Sequence, residues 1–403
     1  MLIVKKFGGS SVADKEKIYN VAKRCIEDYK KGNDVVVVLS AMGKSTDHLI
    51  AQAKEINPNA SKREIDMLMT TGEQISVTLM AMAIDALGVP SVSLNAFQVA
   101  MHTTSKYGSA RLKKIDSDRI KNELASKKIV VVTGFQGINK FDDFTTLGRG
   151  GSDTTAVAIA SALHADLCEI YTDVDGVYTA DPRVVPTAKK LNEITYDEML
   201  ELATLGAGVL HNRSVEMAKK YGVELIVRSS LNKNEGTLVK EVCKMEKMLV
   251  SGVVADKNAA RIAVLGLEDS PGIAFKLFNH LARHNVNVDI ILQSVGRNGT
   301  KDISFTVAED DLDEAVGILE RHRNTSLHWE NIDIEKDVAK VSIVGAGMMT
   351  NAGVAAKMFE ALYNIGVNIK MISTSEIRVT VLIDEKHVNK AVQAIHEKFV
   401  LGE

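Results

Sequence analysis

The sequence predicts an α/β protein in which a mostly parallel sheet lies between helices and is followed by a smaller region built from two repeats. Apolar, β-branched runs such as "DVVVVLS" (34–40) alternate with helical patterns as far as residue 240, which is typical of a sheet covered on both faces. Beyond residue 248, segments 261–293 and 340–374 share one order of strand, glycine-containing turn, helix and strand.

The elements of the first part follow from hydropathy patterns and turn residues. Strands are predicted at "LIVKKF", "DVVVVLS", "ALGVPSVSL", "IVVVTGF" and "LCEIYTD". Helices are predicted at "VADKEKIYNVAKRCIEDYKKG", which ends in Gly32, at "QISVTLMAMAIDAL" and at "DTTAVAIASALHA". Ligands of such sheets gather at the carboxyl ends of strands, so the glycine-rich turns that follow these strands are candidate binding loops.

Each repeat is predicted to have the order βαββα. The later strands are "KDISFTVAE" and "EIRVTVLID", and the closing helices are "LDEAVGILERH" and "VNKAVQAIHEKF". Two copies are too few for a solenoid, so we expect two packed subdomains. The predicted domains are 1–245, 246–338 and 339–403, and a strand near 248–256 could complete the sheet of the last one.

Composition and charge exclude several classes of protein. The 403 residues are 45% hydrophobic and 25% charged, with a net charge of −3, which predicts a soluble globular chain without the basic excess of nucleic-acid binders. The cysteines Cys25, Cys168 and Cys243 show no CxxC spacing, as in a reducing cytosol. We see no signal peptide and no run of the ~18 apolar residues that a membrane span needs, so we expect a cytoplasmic protein.

The turn "KKFGGSS" (5–11) predicts a phosphate site. Lys6 ends a strand, and the amide groups of the glycines and serines before the next helix can bind an anion. The alternative is an ordinary tight turn with Ser11 as the helix N-cap.

Three segments imitate other motifs. "SAMGKST" (40–46) lacks the first glycine of a P-loop because Val38 occupies that position, and the alternative for its polar residues is that Ser45 or Thr46 caps a helix. "VGAGMMTNAG" (344–353) has Thr350 at the third glycine position of a dinucleotide fingerprint. "IYTDVDGVYTADPRVVP" (170–186) does not have the ligand spacing of an EF-hand, and its Asp-Gly and Asp-Pro pairs also form structural turns.

"TTLGRGGSDTTA" (145–156) predicts a site for a zwitterion. Arg149 can hold a carboxylate with two parallel hydrogen bonds, and Asp153 can bind an ammonium group. The alternative is a hinge in which Ser152 and Asp153 cap the following helix. A second carboxylate, Glu73 in "MLMTTGEQIS", could face a substrate amine, although Thr70 and Glu73 also have the spacing of a capping box.

Taken together, "KFGGSS", "SAMG", "TTGEQIS", "TTLGRGGSDTTA", "YTDVDGVYTADPRVV" and the doubled βαββα tail resemble the aspartokinases over nearly the whole chain. The resemblance implies the amino-acid kinase fold, with an eight-stranded sheet sandwiched by helices, followed by two ACT domains. It implies transfer of a phosphoryl group from ATP, with Mg²⁺ held mainly by the phosphates, to the β-carboxylate of L-aspartate.

The resemblance also implies roles for single residues. Lys6 and Asp153 would be catalytic, Glu73 and Asp153 would hold the aspartate amino group, and Arg149 its α-carboxylate. The full aspartate set is Ser40, Thr46, Glu73, Arg149, Gly150, Gly151, Ser152 and Asp153. The ATP set is Lys6, Phe7, Gly8, Gly9, Ser10, Thr172, Asp173, Tyr178, Asp181 and Arg183.

The tail resembles the effector-binding half of lysine- and threonine-sensitive aspartokinases, whose ACT domains bind amino acids across a dimer. The matching positions are Asp269, Pro271, Gly272, Ile273, Ala274, Asn287, Asp289 and Gln293 in the first copy, and Val354, Ala355, Asn368, Ile369, Ser375 and Glu376 in the second. The apolar members could equally be core residues. A homo-oligomer is implied, and an internal start at Met245 or Met248 could give a separate regulatory subunit.

Two alternatives remain at this point. One is a sister amino-acid kinase acting on glutamate, N-acetylglutamate or carbamate. The other is a non-catalytic amino-acid sensor that keeps the fold, against which the presence of Lys6, Arg149 and Asp153 argues.

Overall fold

The computed structural model describes residues 1–243, 249–296, 299–349 and 351–399. The chain divides into two compact units. Unit 1 comprises Met1–Val177, Lys190–Thr204 and Gly208–Met245. Unit 2 comprises Tyr178–Lys189, Leu205–Ala207 and Glu246–Glu403. Met245 and Met248, the predicted internal starts, lie outside the described residues.

Unit 1 is built on an eight-stranded sheet with the order β10-β12-β11-β9-β1-β2-β6-β3, in which six strands run parallel and the edge pair β12 and β10 runs the other way. The predicted mostly parallel, eight-stranded sheet is therefore confirmed. The four remaining strands form a small sheet of order β5-β4-β7-β8. The strands are β1 Leu2–Phe7, β2 Asp34–Leu39, β3 Ser91–Leu94, β4 His102–Thr103, β5 Leu112–Lys114, β6 Ile129–Thr133, β7 Gln136–Ile138, β8 Phe144–Thr146, β9 Leu167–Thr172, β10 Glu193–Thr195, β11 Leu225–Ser229 and β12 Thr237–Lys240.

Helices cover both faces of the large sheet, as its apolar strands require. They are α1 Lys15–Lys30, α2 Ser45–Ile56, α3 Lys62–Ala86, α4 Asp118–Ala125, α5 Gly151–Leu163, α6 Tyr196–Thr204 and α7 Asn212–Tyr221, with a 3₁₀ turn at Gly9–Val12 before α1. The N-cap of α1 is Asp14, whose side chain accepts from the Lys17 amide, so the alternative that Ser11 caps this helix is wrong.

Helix α3 begins eleven residues before Glu73, so Glu73 lies inside the helix and the prediction that it precedes the helix is wrong. The Thr70–Glu73 capping box is wrong for the same reason. The true N-cap is Ser61, whose hydroxyl accepts from the Glu64 amide at 3.4 Å. By length and composition α3 resembles a membrane span, but 56% of its apolar stretch is buried, as in the core helix of a globular unit.

Unit 2 contains both predicted βαββα repeats, joined in one six-stranded antiparallel sheet of order β14-β15-β13-β16-β18-β17. The first half of the long strand β13 pairs with the second repeat, because Gly252 lies opposite Val344 in strand β16. The elements are β13 Gly252–Glu268, α8 Ile273–Arg283, β14 Ile291–Gln293, β15 Thr300–Val307, α9 Leu312–His322, β16 Asn331–Val344, α10 Val354–Asn364, β17 Met371–Thr374, β18 Arg378–Asp384 and α11 Val388–Lys398.

The segment Tyr178–Lys189 interrupts unit 1 in the sequence but packs inside unit 2. Ala180 and Val185 are buried in the apolar core of the second repeat. The Thr179 carbonyl accepts from the Val253 amide at 2.8 Å, and the Thr179 hydroxyl lies 2.9 Å from His396 Nε2. Part of the segment that was predicted to bind the nucleotide thus belongs structurally to unit 2.

Candidate active site

The turn after β1 is tied to the loop after β2 by backbone contacts. The Gly43 amide donates to the Gly9 carbonyl at 2.9 Å. A Cβ on Gly9 would lie 2.5 Å from the Ala41 carbonyl oxygen, so this position accepts only glycine. The two loops therefore form one surface at the carboxyl ends of neighbouring strands, where ligands of such sheets bind.

Only one of the two consecutive lysines on β1 faces this surface. Lys5 is fully buried and pairs with Glu169 and with Asp28 (2.7 Å), which keeps its pKa raised despite burial. Neighbouring residues of a strand point to opposite faces. Lys6 therefore lies on the other face, where its Nζ is 2.6 Å from Asp153 Oδ1.

Asp153 lies in the first turn of α5. The N-cap of this helix is Gly150 in a left-handed conformation, with no side-chain cap, so the alternative that Ser152 and Asp153 cap it is wrong. Ser152 instead bonds to Ser40, with 2.9 Å between the two hydroxyl oxygens. The carboxylate of Asp153 is buried, and its Oδ1 receives no hydrogen bond of good geometry, so the charge of Lys6 is what balances it.

Glu73 is buried next to the same loop. Its Oε1 accepts from the Ala41 amide at 3.1 Å, while Oε2 has no partner among the described residues. Burial raises the pKa of Glu73 to about 8, only partly offset by backbone hydrogen bonds. A buried carboxyl group with one oxygen that accepts no hydrogen bond can bind a cationic group of a ligand. The ligand then supplies both the balancing positive charge and the hydrogen-bond donor.

Arg149 projects from the loop between β8 and α5. Gly148 and Gly150 on either side adopt positive φ angles of 77° and 65°. The guanidinium is exposed, and within the described ranges it has no hydrogen-bond or ion-pair partner. An arginine in this state is available to the carboxylate of a ligand.

The predicted ATP residues belong to both compact units. Gly8, Gly9 and Ser10 form the turn after β1, and the Thr172 hydroxyl accepts from the Val174 amide at 3.1 Å in the loop after β9. The ring of Phe7 is buried and stacked on Tyr171, with 4.4 Å between centroids, which leaves only its backbone for a ligand. Tyr178, Asp181 and Arg183 belong to unit 2, where the Arg183 guanidinium binds Asp181 at 2.7 Å.

Thr46 is half-buried in the first turn of α2, and the predicted alternative that Ser45 or Thr46 caps this helix is wrong. The N-cap position is Lys44, and the Ser45 hydroxyl donates to the Met42 carbonyl at 2.6 Å.

The predicted effector positions fall at two equivalent places in unit 2. Gly272 and Gly353 are the left-handed N-caps of α8 and α10, and Ile273 and Val354 are buried beneath them. Asp289 pairs with Lys340 at 2.8 Å. The remaining exposed positions are Asp269, Pro271, Asn287, Gln293, Asn368, Ser375 and Glu376, while Ala274, Ala355 and Ile369 are half-buried against the cores.

Sequence reasoning missed three residues that build the site. Asp66 is fully buried and accepts hydrogen bonds from the Gly108 amide and from the amide and hydroxyl of Thr146, which fixes the end of β8. His211 and Arg213 contact the loop that carries Arg149. No local pattern marks them, because each acts on a segment more than forty residues away.

The fold and this site define a class of protein. A profile of the amino acid kinase family matches residues 1–229, and an ACT domain profile matches residues 262–322 and 341–399. The molecule is therefore a phosphotransferase of the amino acid kinase class that carries ACT repeats, which confirms the predicted fold class.

Relatives narrow the class. The aspartokinase of Bacillus sp. (strain MGA3) is 51% identical over 402 residues, covering 100% of this chain and 98% of that protein. Aspartokinase 2 of Bacillus subtilis (strain 168) is 49% identical with the same coverage. The chain belongs to the aspartokinase family.

Solved structures of aspartokinases are similar to this chain over nearly its whole length. E. coli aspartokinase III in complex with aspartate and ADP, in its R-state, is 26% identical, with a TM-score of 0.82 over 99% of both chains. The same enzyme in complex with lysine and aspartate, in its T-state, is 27% identical with a TM-score of 0.77 and the same coverage.

Proposed function

We propose that this chain transfers the γ-phosphoryl group of MgATP to the β-carboxylate of L-aspartate, giving 4-phospho-L-aspartate for lysine, threonine and methionine biosynthesis. The observation that carries the proposal is one connected group of contacts: Lys6 on Asp153, Ser152 on Ser40, and the neighbouring Ala41 amide on buried Glu73. In this proposal Lys6 is the cation for the phosphoryl oxygens, and Asp153 and Glu73 are the carboxylates suited to an ammonium group.

The substrate would be held at both of its ends. Glu73 and Asp153 bind the amino group, and Arg149 binds the α-carboxylate with two parallel hydrogen bonds. Support comes from the unpaired Glu73 Oε2 and the partnerless guanidinium of Arg149 within the described residues. Ser40 and Thr46 would line the acceptor side, with the amides of Gly150, Gly151 and Ser152 beside them.

The chemistry requires no general base, because the accepting carboxylate is already ionised at neutral pH. Catalysis comes from positioning and from neutralising the charge of the transferring group by Lys6 and the amides of Gly8, Gly9 and Ser10. Mg²⁺ bound to the phosphates of the nucleotide would share that charge. Phe7 (through its backbone), Thr172 and Asp173 would complete the nucleotide side in unit 1, and the nucleotide roles of Tyr178, Asp181 and Arg183 in unit 2 stay predictions of the sequence.

We further propose that residues 1–245 carry catalysis and that 246–338 and 339–403 respond to lysine, threonine or both. Two observations support this. The predicted effector positions recur at equivalent helix starts of both repeats, and the homologous E. coli enzyme was solved with lysine. A homo-oligomer assembled through the ACT repeats and a cytoplasmic location complete the proposal.

The experiment is ADP release from MgATP with L-aspartate as acceptor, repeated with lysine, threonine and both. Aspartate-dependent turnover that the effectors suppress supports the whole proposal. Turnover without any response to effectors would remove the regulatory part. Turnover with glutamate or N-acetylglutamate in place of aspartate would assign the chain to a sister kinase.

A further inference from the structure

Two side chains at the start of α7 hold the loop that carries Arg149. The guanidinium of Arg213 donates to two carbonyls, that of Leu147 at 2.5 Å from Nη1 and that of Ala110 at 3.1 Å from Nη2. Arg213 is half-buried. Its two nitrogens thus bridge two segments that are far apart in the sequence.

The bridged segments form one backbone unit. The Ala110 amide donates to the Thr146 carbonyl at 2.9 Å, and the Leu147 amide donates to the Phe135 carbonyl at 2.9 Å. Arg213 therefore adds side-chain hydrogen bonds to segments that the backbone bonds already join. A planar guanidinium can serve two carbonyls at once, whereas a lysine ammonium is a point charge on a flexible stem.

His211 holds the other side of the same loop. It is the N-cap of α7, and its Nδ1 accepts from the Arg213 amide at 3.3 Å. Its ring lies against Gly150, because a Cβ built there would be only 2.1 Å from His211 Cγ. This contact explains why the position needs glycine beyond its left-handed conformation.

Arg149 lies in the chain between Leu147, whose carbonyl binds Arg213, and Gly150, which packs against His211. Leu147 is two residues before it and Gly150 one residue after it, while its own side chain has no partner within the described part of the chain. The backbone therefore sets the point from which the Arg149 side chain reaches a ligand, since no side-chain contact does so.

We propose that Arg213 and His211 are positioning residues that determine affinity for the substrate's α-carboxylate by fixing the backbone at Arg149. This inference rests on the proposed function, in which Arg149 binds that carboxylate. Neither residue touches the reacting atoms in this assignment, so their loss acts on aspartate binding, with the nucleotide side unchanged.

The test is a kinetic cycle on the full-length chain with Arg213→Lys, Arg149→Ala and the double variant. The matched control is Lys220→Ala, which removes an exposed cation from the same helix. We expect Arg213→Lys to raise the KM for aspartate about fivefold, with kcat and the KM for ATP within about twofold of the parent. The double variant is expected to be no worse than Arg149→Ala alone, because both changes act on one contact.

His211→Ala provides a second variant that keeps both carbonyl bonds of Arg213, and thermal unfolding shows whether each variant is folded. An unchanged KM for aspartate in folded Arg213→Lys and His211→Ala overturns the inference. So does an equal rise in both KM values, or full additivity with Arg149→Ala. If Arg149→Ala itself leaves the KM for aspartate unchanged while wild type turns aspartate over, the assignment of Arg149 is wrong and the inference falls with it.

Discussion

Buried Glu73 predicts a pH dependence of aspartate binding that can be worked out from the structure. The pKa of its carboxyl group is raised to about 8 by burial, so in the free enzyme the group is mostly protonated at neutral pH. An ammonium ligand favours the ionised form. Aspartate binding should therefore strengthen as the pH rises towards 8. Below pH 8, binding should release a proton from Glu73.

The magnitude follows from the ionised fraction. With a pKa of about 8, that fraction is about 1% at pH 6, about 9% at pH 7 and about 50% at pH 8. Apparent affinity scales with the competent fraction, so the KM for aspartate should fall about 50-fold between pH 6 and pH 8. The measurement is KM for aspartate across this range at constant ionic strength and saturating ATP, with proton release followed by calorimetry in two buffers.

Glu73→Gln is the matched control, because it keeps the shape of the side chain and cannot ionise. Its KM for aspartate should be high and nearly independent of pH. A flat profile in the wild type would refute the argument, and so would an equally steep profile in the glutamine variant, which would point to another group such as His211, whose pKa is lowered mainly by burial.

The raised pKa of Glu73 also predicts that the free energy of unfolding falls as pH rises, whereas aspartate binding strengthens. The folded protein holds the Glu73 proton more tightly than the unfolded chain. The contribution of this proton to the free energy of unfolding is therefore complete below pH 4.5 and is lost as the pH rises to about 8. The difference between these values corresponds to roughly 5 kcal/mol. Glu73→Gln should therefore be more stable than wild type in urea at pH 8 and about equal to it at pH 4.5.

Three further outcomes are expected. Lys6→Met should lower kcat by at least about 100-fold and change the KM for aspartate by less than about threefold, measured by initial rates, because we propose that Lys6 acts on the transferring phosphoryl group. Asp66→Asn should lower the free energy of unfolding in urea by about 3 kcal/mol, because its amide nitrogen would face N–H donors in a buried place. Gly9→Ala should weaken ADP binding about tenfold or more in calorimetry, because its Cβ would lie 2.5 Å from the Ala41 carbonyl oxygen and displace the turn. Normal nucleotide affinity in that last variant would show that the turn does not hold phosphates.

Hydropathy patterns along the chain predicted much of the fold correctly, whereas the local capping patterns did not. The apolar runs gave five of the eight strands of the large sheet, β1, β2, β3, β6 and β9, since burial on both faces leaves a continuous hydrophobic pattern, while β10, β11 and β12 were not predicted. The repeat gave both βαββα units. The start of α3 was missed because Thr70 and Glu73 have the spacing of a capping box, whereas the N-cap is Ser61, whose hydroxyl accepts from the Glu64 amide.

The sequence by itself determined the class of protein and most of the loops of the candidate site, because glycines and polar residues at strand ends are local features. Only the tertiary structure decided that Lys5 is buried in an ion pair while Lys6 faces Asp153, although the two are neighbours. It alone brought Arg213 to the loop of Arg149 and buried Glu73 beside Ala41. The reason is physical: burial, charge balance and pKa depend on which distant segments fold against a residue, and no local pattern carries that information.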